Sequence, residues 1–151
     1  MAAYRATVDW RLAEGEDFLA GRYSRGHDLA FDGGTKVAGT ASPHVVGNKW
    51  SVAGAVDPEQ MLVASLSACH MLTFLHRARL AGFAVSAYAD EAEGVMSEIA
   101  PGRQAVTKVT LRPKIEWSGA APDAETLERL HHEAHEECFI ANSVKTEVVV
   151  A

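Results

Sequence analysis

The sequence predicts an α+β domain in which antiparallel strands pack on two helices, one of them buried at the centre. Three observations carry this. The stretch Pro58 to Gly82, "PEQMLVASLSACHMLTFLHRARLAG", is apolar almost all the way round a helix and is bounded by helix start and stop signals. Windows on either side of it alternate apolar and polar residues with the period of a strand. A second window, "PDAETLERLHHEAHEEC", opens on proline and acidic residues and carries an apolar stripe at helical spacing. The resulting order is strands, helix, strands, helix, strand, which suits helices backing antiparallel sheet within one domain spanning residues 1–151.

The elements follow in turn. "YRATVDWRLAEGEDFLA" and "GRYSRGHDLAFDGG" read as strands, the second closing on the turn pair Gly33-Gly34. "TKVAGTASPHVVGNKWSVAGAV" is rich in Gly, Ser, Thr and Pro and reads as a short strand followed by a long loop. For the central helix, Asp57 serves as N-cap and Gln60 completes a capping box with it. Pro58 suits the first helical position, Glu59 favours the positive end of the dipole, and Gly82 ends the helix. "FAVSAYADEAEGVM" and "QAVTKVTLRPKIEWSG" read as an antiparallel pair joined through "SEIAPGR". In the second helix the stripe is Leu127, Leu130, Ala134 and Cys138, and "SVKTEVVV" is a closing strand.

Composition narrows the function. The chain has 151 residues, 48% of them apolar and 23% charged, as in a soluble globular protein. Its formal charge of -6 and its scattered basic residues give no footprint for a nucleic acid. The start, "MAAYRATVDW", has no signal-like apolar core, and His70, Thr73 and His76 interrupt the longest apolar run, which argues against a membrane span. These features predict a cytoplasmic protein. In that compartment the two cysteines, Cys69 and Cys138, are either inert packing residues or a reversible redox pair rather than a structural disulfide.

Each chemistry-bearing residue has an ordinary role beside a functional one. Cys69 shares a helical face with Leu62, Leu66, Thr73 and His76, an apolar setting that raises a thiol's pKa unless a cation lies near. His70 adjoins it, but consecutive helical residues do not face each other. Cys138 either packs on its apolar stripe or, at the joint with "FIANS", acts as a resolving thiol. His131, His135 and Cys138 lie on one helix face and invite a zinc reading. However, the metalloprotease pattern has Glu after the first His, where His132 stands here, and a ligand seven residues along one helix rarely reaches the same ion. Arg25 and Glu59 are ion-pair candidates, although most such charges are solvated.

Taken together, "DPEQMLVASLSACH", "CFIANSVKTEVVV" and "YSRGHDLAFDGG" before the helix resemble the OsmC/Ohr family of thiol-dependent peroxidases over essentially the whole chain. The resemblance implies an OsmC-like fold and an intertwined homodimer with its sites at the interface. It implies a peroxidatic Cys69, a resolving Cys138, and an arginine paired with Glu59 that holds Cys69 as thiolate. Arg25 is the match for that arginine, with Arg22 the next choice. It further implies an organic hydroperoxide substrate, a dithiol reductant of lipoyl type, and chemistry carried by sulfur without metal or organic cofactor. Phe139 stands where the best-known hydroperoxide branch has proline, and His70 where it has an aromatic. A non-catalytic binding protein with two packed cysteines is the alternative on the same fold. Ten helical residues rise about 15 Å, so Glu59 and Cys69 cannot touch along one helix. Either the helix begins later, an arginine spans the gap, or a partner subunit supplies Glu59.

Overall fold

Strand-forming residues near the start build a small antiparallel sheet of β1 (Ala6–Asp9), β2 (His27–Phe31) and β3 (Lys36–Gly39), in that order. In the computed structural model, which describes residues 1–151, it belongs to the first of two units, Met1–Met61, the second being Leu62–Ala151. Gly33 and Gly34, at φ 95° and 89°, make the β2–β3 turn in a region side chains avoid. The long N-terminal strands expected from alternation are shorter than predicted. Between β1 and β2 the chain turns back on itself through a bridge between Asp17 and Arg22. Trp10, Phe18 and Tyr23 cluster there, with ring centroids 4.8 to 6.0 Å apart. Alternation registered these aromatics, but their contacts are within a loop rather than across a ladder. The expected long loop after β3 contains a short helix, α1 (Pro43–Val46), capped by the Ser42 hydroxyl, which accepts from the His44 N–H.

The helix α2 (Pro58–Leu80) starts where the sequence predicts. The Gln60 N–H donates to Asp57 Oδ1 at 2.8 Å, and the Asp57 N–H donates to Gln60 Oε1 at 3.1 Å. This reciprocal box satisfies two helix-end donors, and Asp57 is buried, so Asp57→Ala is expected to cost about 1 kcal/mol, read as a lower urea midpoint; an unchanged midpoint would contradict it. The option that the helix begins later, clear of Glu59, is excluded.

In the second unit α2 buries Leu66, His70, Phe74 and Ala78, one residue per turn. Within the single chain this stripe is the covered face of α2, and Leu72, on another face, is 63% exposed. His70 sits on that stripe, a polar residue in the line of greatest burial.

The two predicted central strands are four. β4 (Val85–Asp90) pairs with β7 (Pro113–Trp117), and β5 (Glu93–Ala100) pairs with β6 (Arg103–Leu111), both antiparallel. Each predicted window breaks between its two strands, the second at Pro113, which has no N–H to continue a ladder. β8 (Glu147–Val150) joins β6 in parallel, a departure from the all-antiparallel expectation. Gly94 in β5 allows a close approach to α2, because a Cβ there would lie 2.5 Å from Val63 Cγ2.

The helix α3 (Ala124–Glu137) is capped by Asp123, whose Oδ1 accepts from the Thr126 N–H at 2.8 Å. Two apolar clusters fill the unit. Phe74, Ala78, Leu130 and Ala134 form one, with Phe83, Tyr88, Ile115 and Trp117 against it. Leu66, Val109 and Leu111 form the other. No helix is long and apolar enough to cross a membrane.

Candidate active site

Sixty-nine residues apart in sequence, Cys69 on α2 and Cys138 at the end of α3 lie close enough for the Cys69 side chain to act on the Cys138 thiol. Both are free, with Cys69 half-buried and Cys138 1% exposed. Burial, and then the neighbouring Cys69 side chain, push the Cys138 thiol up to about 11. Cys138 therefore keeps its proton at neutral pH. On its other side the Ala141 N–H donates to Cys138 Sγ at 3.4 Å. That amide lies in the turn that follows α3, where Ala141–Ser143 forms a single 3-10 turn.

The end of α3 is tied to α2. The Arg77 guanidinium forms a two-point ion pair with Glu137, the residue before Cys138, and lies 3.7 Å from Glu133. This fork geometry restricts orientation more than a single contact does.

A second polar contact links the same helices and was not foreseen in the sequence. His70 Nε2 and His131 Nδ1 lie 3.0 Å apart, and Phe74 stacks on His131 at 4.3 Å between centroids. His70 Nδ1 is buried with no hydrogen-bond partner. Burial, then His131 and His135, push His70 down to about 4, against a smaller opposing effect of Asp90. Burial also lowers His131. Both imidazoles are neutral at pH 7. The signal available in the sequence was the spacing of His70 with Leu66 and Phe74, at i−4 and i+4.

A pH prediction follows. The unfolded chain protonates His70 near its ordinary 6.5, whereas the folded chain resists until about 4. The unfolded state thus binds more protons in that window, and stability is fully present above about 6.5 and declines as pH falls toward 4, by at most about 1.4 kcal/mol per pH unit from this group. Urea midpoints at pH 7.5 and 5.0 should show the decline, and His70→Leu should flatten it. A slope unchanged in the variant would assign the effect elsewhere.

The remaining predicted residues lie in the first unit. Arg25 Nη1 donates to the carbonyls of Gly21, at 3.2 Å, and Tyr23, and its guanidinium carbon stands 3.6 Å over the Tyr23 ring. Glu59 Oε2 is buried without a partner. Arg25 is thus engaged with its own loop rather than paired with Glu59. Arg22 is paired with Asp17 at 2.8 Å. His131 is directed to His70, and no group of three or more metal-ligating side chains is assembled, His131, His135 and Cys138 included.

The family model described as OsmC-like protein matches residues 51–151, which include both cysteines and Glu59. No curated protein matches the chain. Among solved structures, an OsmC-like protein of unknown function from Vibrio cholerae O1 biovar eltor is 47% identical, covers 100% of this chain and 99% of its own, and superposes with a TM-score of 0.95. An organic hydroperoxide resistance protein from Elizabethkingia anophelis is 16% identical, with 100% and 96% covered and a TM-score of 0.72. The organic hydroperoxide resistance protein OhrB of Bacillus subtilis is 17% identical, with 99% and 98% covered and a TM-score of 0.68. The last two share the fold. With the matched model taking in two thirds of the residues and the first structure nearly half identical along the full length, the chain belongs to the OsmC-like protein family.

Proposed function

We propose that the protein is a thiol-dependent reductase of organic hydroperoxides. The observation that carries this is a pair of free, neighbouring thiols of unequal burial, with Cys138 enclosed and holding its proton and Cys69 more accessible. That asymmetry gives the two sulfurs different tasks. Cys69, as thiolate, attacks the terminal oxygen of the hydroperoxide. An S–O bond forms, the O–O bond breaks, and the departing alkoxide takes a proton to leave as alcohol. Cys69 is then a sulfenic acid. Cys138 attacks its sulfur, the S–S bond forms, and the sulfenic oxygen leaves as water with the Cys138 proton. A dithiol of lipoyl type reduces the disulfide and is itself oxidised to a cyclic disulfide. Sulfur carries every step, with no metal or organic cofactor.

Arg25 and Glu59 are assigned the task of holding Cys69 as thiolate. The unpartnered Glu59 oxygen supports this, because a buried carboxylate oxygen calls for a donor. Arg25 becomes available when it leaves the Gly21 and Tyr23 carbonyls. The protein acts as a homodimer in the cytoplasm. Trp10, Phe18 and Phe31 in the first unit are 37%, 52% and 40% exposed, an apolar surface that suits a second copy. The preference for an organic substrate rests on the apolar residues of α2 around Cys69. Coupled assays with dihydrolipoamide should show faster turnover of cumene hydroperoxide than of hydrogen peroxide. No dithiol oxidation with either would leave a binding protein with two packed, inert thiols.

A further inference from the structure

A groove of about 390 Å³ runs over the second unit between α3, β7 and the end of β8. Its walls include Ile115, Trp117, Leu127 and Val150, and its polar side chains are Glu128 and His131. The volume lies in the lower part of the range for small-molecule sites, and a mostly apolar lining with few polar groups is the usual character of such sites. Neither cysteine lines it, so it is independent of the proposed peroxidase chemistry.

The buried histidine fixes what His131 offers. His70 and His131 share one proton between Nε2 and Nδ1. If His131 donated, neutral His70 would carry its own proton on Nδ1, a buried N–H without an acceptor. Orphaned buried N–H groups are rarer than orphaned acceptors. His70 therefore carries its proton on Nε2 and donates it to His131 Nδ1. That leaves the His131 proton on Nε2, the one ring nitrogen of this pair not used or enclosed by the core. The groove thus has a histidine donor fixed from behind by a residue that does not line it, alongside the Trp117 indole N–H. Glu128 disfavours an anion there.

We propose that this groove binds a small neutral molecule with an aromatic or branched apolar body and one hydrogen-bond acceptor, which His131 recognises through Nε2–H. Trp117 supplies a broad apolar surface for the body of the ligand.

The test is ¹H–¹⁵N NMR of histidine rings and tryptophan indoles on the full chain, titrated with acetophenone, ethylbenzene and benzoate. The free protein should show His131 protonated at Nε2 and His70 at Nε2. Acetophenone should shift the Trp117 and His131 signals, ethylbenzene should bind roughly tenfold more weakly for want of the acceptor, and benzoate should shift neither. His131→Phe keeps a ring on Phe74 and should bring acetophenone down to the affinity of ethylbenzene. Ala124→Phe, at an exposed position lining the groove, should block both ligands with the fold intact, and it decides the matter should His131→Phe not fold. His131 protonated at Nδ1, equal affinity for acetophenone and ethylbenzene, or no shift with acetophenone, as when a second copy covers the groove, would each overturn the proposal.

Discussion

Cys69→Ser should abolish dithiol-dependent hydroperoxide turnover, a loss of roughly a thousandfold or more, as when a nucleophile is removed from a unit that acts together. A serine hydroxyl is not ionised near neutral pH and cannot be oxidised to a sulfenic acid, so no residue of the chain takes over. Cys138→Ser should behave differently. The first turnover is retained, because Cys69 attacks the hydroperoxide without it. The sulfenic acid then accumulates and is trapped by dimedone on Cys69. Serine keeps a small polar side chain at this position but cannot form a disulfide, so the comparison isolates resolution rather than activation. Stopped-flow consumption of cumene hydroperoxide, followed by peptide mapping, separates the two steps. Identical steady-state rates for wild type and both variants would place the activity elsewhere or nowhere.

Phe74→Ala should be the most destabilising single truncation in the second unit. Phe74 has no exposed surface and lies within 4.3 to 6.3 Å, between centroids, of His131, Tyr88 and Trp117. Its removal deletes a large apolar area and leaves a space that three aromatic rings on different elements cannot jointly close. Such changes cost about 3–5 kcal/mol, a large part of the stability of a domain this size. The melting temperature should fall by roughly 6–20 °C. Phe74→Leu, which keeps much of the volume, should cost less than half as much. The loss should also loosen the His70–His131 contact, since Phe74 stacks on His131. A change below about 1 kcal/mol would mean that the cluster collapses more freely than its packing indicates.

The parts of this fold legible in the sequence are those with local causes. Asp57, Pro58 and Gln60 announce the central helix because capping is settled within four residues, and the proline and acidic residues that open the second window do the same for α3, whose cap in the structure is Asp123. Periodicity finds the strands, but it does not say which partner each strand meets. The parallel pairing of β8 with β6 is therefore absent from the pattern, and so is the division of each central window into two strands. The histidine contact escaped for the same reason. His70 looks like an interruption of an apolar run until α3 brings His131 to it from 61 positions away. For the thiols, the residues themselves left open whether they pack or react, and family resemblance supplied the pairing. Their mutual approach depends on how α2 and α3 pack, which no local pattern encodes. Arg25 marks the other limit, since its charge is readable but its partners, the carbonyls of its own loop, are not.

The central claim is that Cys69 and Cys138 form one redox pair, and intact-mass analysis after one equivalent of cumene hydroperoxide tests it most directly. Wild type should lose two hydrogens per chain, about 2 Da, as the disulfide forms, and Cys138→Ser should instead gain one oxygen, about 16 Da, on Cys69. Unchanged masses with two titratable thiols in the wild type would contradict the account and leave the cysteines as packing residues.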